Sequence, residues 1–325
     1  MAKRIQFNQH GGPEVLQLVE FEPAPPGPQQ VRVRNHAIGL NFIDTYFRSG
    51  LYAPPALPSG LGTEAAGVID AVGEGVSRLK VGDRVAYAGG PLGAYSEVHT
   101  LPEANVVLLP EAISFEQAAA VMLKGLTTQY LLKQTYAVQP GDFILFHAAA
   151  GGVGSLACQW AKALGAKLIG TVSSAEKAER AKALGAWATI DYSHEDVAKR
   201  VLELTDGQKC AVVYDGVGAD TWLTSLDCLR PRGLMVSFGN ASGAVTGVNL
   251  GILSQKGSLY VTRPTLGSYA NNAENTQAMA DDLFGMISSG KLVVDIQQRY
   301  PLSEAAKAQT ELSARRTVGS TVLLP

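Results

Sequence analysis

The sequence predicts an α/β protein, with a doubly wound, parallel six-stranded sheet joined to a β-rich domain. Three observations lead there. Six short apolar runs separated by helical segments fill the stretch from about residue 125 to 263. Residues 1–120 read instead as short strands broken by glycine and proline. The 325 residues also exceed one ordinary core, which suggests two domains. The expected divisions are 1–124, 125–263 and 264–325, the last returning to the first domain.

In the β-rich part, Gln30-Val31-Arg32-Val33-Arg34 alternates with period two, and Gly67-Val68-Ile69-Asp70-Ala71-Val72-Gly73 is a strand bounded by glycines. Val81-Gly82-Asp83-Arg84-Val85 adds a turn and a strand, and the proline-rich run at 23–28 is a stiff loop. From residue 125 the pattern becomes strand, glycine, helix. Phe143-Ile144-Leu145-Phe146-His147 precedes a helical run with Leu156, Ala157, Trp160, Ala161 and Leu164 on one face, stopped by Gly165. Further strands are expected at 167–172, 188–192, 211–215, 234–238 and 258–261, with a helix at about 175–184. Parallel strands need such crossovers and are covered on both faces, which accounts for their continuous apolar character. The tail carries a helix around 275–288 and strand-like pieces at 293–300 and 321–324.

Composition narrows the function classes. The chain is 46% hydrophobic and 17% charged, a globular balance, and its net charge of −2 without a Lys/Arg run makes nucleic acid an unlikely partner. Cys158, Cys210 and Cys228 are too few and too dispersed for a disulfide framework or a metal knuckle, so reduced thiols are expected. The first residues alternate like a strand and lack a signal peptide's apolar core, and no window approaches the ~20 apolar residues of a membrane span. A soluble, cytoplasmic protein is expected.

Ala149-Ala150-Gly151-Gly152-Val153-Gly154 follows an apolar strand and opens an amphipathic helix, the context in which a glycine-rich turn holds a dinucleotide pyrophosphate. Ala149 replaces the usual first glycine, Gly151 allows close backbone approach, and Gly154 lets helix and strand pack. The next strand ends in Val172-Ser173-Ser174 followed by Lys177, where an NAD site commonly has an acid. A hydroxyl and an ammonium suit a 2′-phosphate and favour NADPH, although Lys177 also reads as a solvated helix lysine. Tyr192, ending the third strand, is either a cover for the adenine or a packing aromatic.

Gly62-Thr63-Glu64-Ala65-Ala66-Gly67-Val68, Asn41-Phe42-Ile43-Asp44, Gly82-Asp83-Arg84-Val85, the 148–154 turn and Ser237-Phe238-Gly239-Asn240 occur in an order that spans the chain. In these motifs the sequence resembles the zinc-free quinone oxidoreductase (zeta-crystallin-like) branch of the medium-chain dehydrogenase/reductase superfamily, in its bacterial NADPH-dependent form. The resemblance implies a GroES-like catalytic domain built from both chain ends and an inserted Rossmann domain with NADPH in the cleft. It also implies a homodimer through the Rossmann sheet edge, for which a β-rich stretch near 245–262 is the expected source. It places Asn41 and Thr127 near the nicotinamide ribose or carboxamide, and Phe238, Gly239, Asn240, Val261, Thr262 and Arg263 at the nicotinamide end. Arg315, or its neighbour Arg316, corresponds to a further phosphate contact.

The zinc alcohol dehydrogenases have a cysteine at the position of Asn41 and a histidine at that of Thr63, neither of which is replaced here by a serviceable ligand. The cysteine-rich structural-zinc lobe is missing as well, so no metal is expected. Without a Lewis acid the substrate must itself accept hydride readily. A quinone or another flat electrophile fits, and no side chain is then required as an essential acid or base. Tyr46, Tyr52, Asn41 and Arg263 are the expected pocket residues, with the tyrosines alternatively packing groups and Arg263 a cofactor contact only. His147 reads as structural more than acidic, and Asp44 and Glu64 as scaffold carboxylates more than catalysts. The competing functions are an NADPH-dependent enone or enal reductase and a non-catalytic, crystallin-like NADPH-binding protein.

Overall fold

Alternating buried and exposed side chains along Gln30–Gly39 form the spine of the first sheet in the computed structural model, which describes residues 1–314 and 316–325. The chain divides into two units, Met1–Leu126 with Tyr269–Pro325, and Thr127–Ser268. The first contains β1 (Ala2–Phe7), β2 (Gln17–Phe21), β3 (Gln30–Gly39), helix α1 (Phe42–Ser49), β4 (Ser59–Gly60), β5 (Glu64–Val72), β6 (Arg84–Ala88), β7 (Val98–Pro102) and β8 (Val106–Leu108). Helix α2 (Phe115–Tyr130) follows. The second holds β9 (Phe143–Phe146), α3 (Gly152–Ala163), β10 (Lys167–Val172), α4 (Ala175–Ala183), β11 (Ala188–Asp191) and α5 (Val197–Leu204). It continues with β12 (Cys210–Asp215), α6 (Trp222–Asp227), β13 (Leu229–Ser237), α7 (Gly251–Gln255), β14 (Tyr260–Thr262) and α8 (Leu266–Tyr269). The tail supplies α9 (Ala273–Ser288), β15 (Ile296–Pro301), α10 (Ala305–Ser313) and β16 (Ser320–Leu324) to the first unit.

The first unit pairs β2-β1-β4 in one sheet and β15-β16-β3-β5-β6-β8 in another, with β7 also on β3. Its core joins Phe7, Val33, Ile38, Ile69, Val85 and Tyr95 to Leu302, Ala305 and Leu323 of the tail. Gly67 makes the β3–β5 pairing possible, since a Cβ there would stand 1.9 Å from the Arg34 carbonyl oxygen.

The second unit is the six-stranded parallel sheet, in the order β11-β10-β9-β12-β13-β14. One register row runs Ala188, Ile169, Leu145, Val213, Met235, Val261. Its central members are fully buried because crossover helices cover the sheet. Helix α3 buries Leu156, Ala157, Trp160 and Ala161 on its apolar stripe and stops at Gly165, which has φ +76°.

The stretch 245–262 departs from expectation. It is not β-rich: it contains the helical turn α7 and only three strand residues, Tyr260–Thr262. Gly247 and Gly257 take positive φ, and so does Ser258, at 56°, which ends any extended run before Tyr260.

Leu145→Ala, at the centre of the parallel sheet, should lower unfolding stability by about 2–5 kcal/mol, whereas Leu223→Ala, 58% exposed, should stay within about 0.5 kcal/mol. Urea denaturation monitored by circular dichroism measures both.

Candidate active site

All six strands of the second unit end on one edge, and the winding reverses between β9 and β12. Open α/β sheets bind ligands at this switch point. The turn after β9 passes from Ala148, at φ +55°, to Gly151, the N-cap of α3. A Cβ on Gly154 would lie 2.4 Å from the Ala148 oxygen and 2.7 Å from the Ala149 Cα, so only glycine lets α3 begin this close to the strand. Ala149 fills the place of the missing first glycine because Gly170, beneath it on β10, has no side chain; a Cβ there would meet the Ala149 Cβ at 2.5 Å. The result is a helix N-terminus whose first N–H groups face outward without helical partners, which suits a diphosphate. Gly151, Gly152 and Val153 line this cradle.

At the end of β10, Lys177 Nζ donates to Ser173 Oγ at 3.1 Å, bringing those two residues together. Ser174 caps α4 by accepting from the Lys177 N–H. Tyr192 is 49% exposed beyond β11, so it is not a core aromatic. No carboxylate stands in the 172–177 segment apart from Glu176, on an exposed position of α4.

On the other side of the switch point, Phe238, Gly239 and Asn240 follow β13, and Arg263 follows β14. Arg263 Nη1 donates to the Ser237 carbonyl at 2.7 Å and to that of Gly239 at 3.5 Å, which holds the guanidinium against this loop. Val261 is exposed on the edge strand. His147 is buried with both ring nitrogens hydrogen-bonded. Its partners Thr171 and Ser225, and Asp215 behind them, escaped the sequence reading because they are scattered along the chain.

In the first unit, Asn41 stands at the N-terminus of α1 and is buried. Its Nδ2 donates to Glu64 Oε2 at 2.5 Å. Glu64 is fully buried, accepts the Leu123 N–H at 2.6 Å through Oε1, and lies 3.5 Å from Lys124 Nζ. Burial raises the pKa of Glu64 despite the opposing pull of Lys124 and Asn41. Asp44 accepts from the Asn41 N–H at 2.9 Å and the Tyr95 hydroxyl at 2.7 Å, both on Oδ2, while Oδ1 is unpartnered. Burial pushes its pKa up to about 7. Lys124 carried no signal in the sequence beyond its place in an apolar helix. The Thr63 hydroxyl is buried without a partner. Tyr46 and Tyr52 meet edge to face, 5.3 Å apart and partly exposed. Thr127 is buried on α2, in the second unit. Arg315 lies outside the described residues; Arg316 is tied to Glu311 by two hydrogen bonds. Among the described residues no His, Cys, Asp or Glu cluster is arranged to hold a metal ion, and no helix is long and apolar enough to cross a membrane.

A glycine-cradled βα turn at the switch point of a six-stranded parallel sheet, in a chain whose two ends build a separate β-rich unit, defines a dinucleotide-dependent dehydrogenase fold. Comparison with known proteins agrees. Residues 27–111 match the alcohol dehydrogenase GroES-like domain family, and residues 152–284 the zinc-binding dehydrogenase family. The chain is 73% identical to a quinone oxidoreductase of Pseudomonas aeruginosa, with all of both chains covered. It is 60% identical to the crystal structure of Escherichia coli quinone oxidoreductase complexed with NADPH, with a TM-score of 0.98 and full coverage of both chains. It is also 44% identical to a 2-haloacrylate reductase of Burkholderia sp., over 100% of this chain and 99% of that one. The chain belongs to the quinone oxidoreductase branch of the medium-chain dehydrogenase/reductase superfamily.

The buried carboxylates predict a pH dependence of stability. Between the ordinary value of 3.8 and about 7, folded Asp44 keeps a proton that the unfolded chain has lost, so stability falls as pH rises through that window. Glu64 acts in the same direction. Melting temperatures across that range should therefore decline less steeply in Asp44→Asn than in the wild type; equal slopes would show that Asp44 titrates normally.

Proposed function

We propose that the protein is an NADPH-dependent quinone oxidoreductase that transfers hydride without a metal. The observation that carries this reading is the glycine-cradled turn, together with the pairing of Ser173, just after β10, and Lys177 on α4. When bound, NADPH supplies a hydride equivalent from its nicotinamide ring. The backbone of Ala149, Gly151, Gly152, Val153 and Gly154 holds its pyrophosphate; Ser173 and Lys177 receive the 2′-phosphate, and Tyr192 covers the adenine. Phe238, Gly239, Asn240, Val261, Arg263 and Thr127 of the second unit orient the nicotinamide end, and Asn41 of the first unit is a further candidate.

Asn41 and Thr63 offer a carboxamide and a hydroxyl where a zinc site needs sulfur and imidazole, which supports a metal-free reaction. Tyr46, Tyr52 and Asn41 of the first unit are the proposed acceptor contacts, and Arg263 of the second is a further candidate. An amide bonded to Glu64 and an edge-to-face tyrosine pair orient a planar ring without performing acid or base chemistry. The two chain ends form the catalytic domain, the NADPH-binding domain is the segment 125–263, and the enzyme works in the cytoplasm.

A second reading has specific support in the 2-haloacrylate reductase relative, whose name denotes reduction of a conjugated carboxylate. Such chemistry leaves a carbanion to protonate, a task Tyr52 could perform. Steady-state NADPH oxidation with benzoquinones, simple enones and 2-chloroacrylate separates the two. We expect kcat/KM to be highest for quinones, and Lys177→Glu to lower kcat/KM for NADPH about tenfold or more with little change for NADH. A preference for enones or haloacrylate would favour the second reading, and an equal loss with both cofactors would remove Lys177 from the 2′-phosphate site.

The enzyme is further proposed to be a homodimer through the outer edge of β14, a short strand with one unpaired side, where Tyr260 is 61% and Val261 40% exposed. Analytical ultracentrifugation should give a dimer for the wild type and a monomer for Tyr260→Lys combined with Val261→Lys. An unchanged dimer would place the interface elsewhere.

A further inference from the structure

The sheet order sets the carboxyl ends of β9 and β12 side by side, and a continuous row of side-chain hydrogen bonds runs beneath them. His147 Nδ1 lies 3.0 Å from Thr171 Oγ1, and Nε2 lies 2.9 Å from Ser225 Oγ. Ser225 donates to Asp215 Oδ2 at 2.7 Å. Asp215 also accepts from the Thr221 hydroxyl at 2.7 Å and from the N–H groups of Val217 and Gly218 at 2.8 and 3.0 Å.

The direction of each bond follows from the carboxylate end. Asp215 can only accept, so the single hydrogen of the Ser225 hydroxyl points to it, and Ser225 faces His147 as an acceptor. Nε2 must then carry the ring proton, Nδ1 is bare, and Thr171 donates to Nδ1. Thr171 Oγ1 also accepts from the Ala148 N–H at 3.3 Å. Burial lowers the pKa of His147 against the pull of Asp215, in keeping with a neutral ring.

Each end of the row is attached to a loop. At one end Ala148, held with φ +55°, opens the turn at 148–154. At the other, Asp215 fixes the loop at 216–218, on which Gly239 sits so closely that a Cβ would stand 2.4 Å from the Gly216 oxygen. Phe238 N–H donates to the Asp215 carbonyl at 2.8 Å and Ala241 N–H to that of Gly216 at 3.2 Å.

We propose that His147, locked as its Nε2–H tautomer, is a positioning residue that couples the turn at 148–154 to the loop at 238–240. This rests on the reading that these two loops hold the pyrophosphate and the nicotinamide end of NADPH. The row is not a hydrolytic triad, because fully buried Ser225 gives its hydrogen to the carboxylate and not to the imidazole.

Thr171 and Ser225 share His147 as partner, so a double-mutant cycle with Thr171→Val and Ser225→Ala, read as the NADPH Kd from cofactor fluorescence, tests the coupling. Each single variant should weaken binding about fivefold to tenfold, and the double variant by about the same factor, because a row broken once is already uncoupled. Losses that multiply, or single variants with lowered Tm and unchanged Kd, would overturn it. Nitrogen-15 NMR of histidine in the wild type, with His147→Gln to identify its signal among five histidines, should show a neutral Nε2–H ring that does not titrate between about pH 5 and 8. A charged ring or an Nδ1–H tautomer would overturn the proposal even where the variants do not fold. A wild-type protein with the expected tautomer but no affinity for NADPH would overturn the cofactor reading, and the coupling with it.

Discussion

Much of the second unit depends on one close approach of backbone to backbone, that of Gly154 on α3 to Ala148 and Ala149 at the end of β9. A helix that starts this near the strand cannot carry a side chain at the contact, and its open N–H groups then lie at the edge where the parallel strands end. The neighbouring strand is shaped to match, since Gly170 leaves room for the Ala149 methyl group. Two sequence positions far apart therefore share one steric requirement. An alanine at the first fingerprint position is tolerated because a glycine on the next strand compensates.

The first unit solves a different problem, that of holding polar groups in place without water. Gly39 shows how tightly Glu64 is held, since a Cβ there would meet both its carboxylate and the Ala119 carbonyl, at 2.1 and 2.3 Å. The Lys124 ammonium offsets part of the burial cost, and its other bond, to the Leu40 carbonyl at 3.3 Å, ties it to the residue before Asn41. Such a cluster contributes less to stability than an apolar filling of the same volume would. Its effect is directional, because each donor fixes the orientation of its acceptor, and the Asn41 amide is the group so fixed.

The elements that could be read from the sequence are those whose signal is local. Strands at 143–146 and 167–172 declare themselves as apolar runs, α3 by its stripe ending at Gly165, and the turn between by its glycines. The failure at 245–262 is also local in origin: its glycines were visible, but composition alone does not say that Gly247 and Gly257 take left-handed backbone. The sequence marks Asp44 and Glu64 as scaffold carboxylates and His147 as structural but does not show their partners, since Glu64 and Lys124 are sixty residues apart and become neighbours only through the packing of β5 and α2. Asp215 looked like the end of a strand, and Ser225 like one more hydroxyl on a helix.

The buried row beneath the switch point shows why such groups are placed there despite their cost. Apolar side chains at Thr171, His147 and Ser225 could fill the same space, but dispersion contacts have no polarity and would leave the Ala148 N–H without its acceptor. An alanine in left-handed conformation costs roughly 1–2 kcal/mol, so the turn keeps its shape only while hydrogen bonds on both sides hold it. The Gly151 N–H donating to the Ala148 carbonyl is one of these, and Thr171 accepting from the Ala148 N–H is the other. Thr171 accepts there with one lone pair while its own hydrogen goes to Nδ1, which is bare because Nε2 carries the imidazole proton. The polarity set by Asp215 thus runs through Ser225 and His147 to Thr171, and the same Thr171 oxygen holds the backbone of the turn.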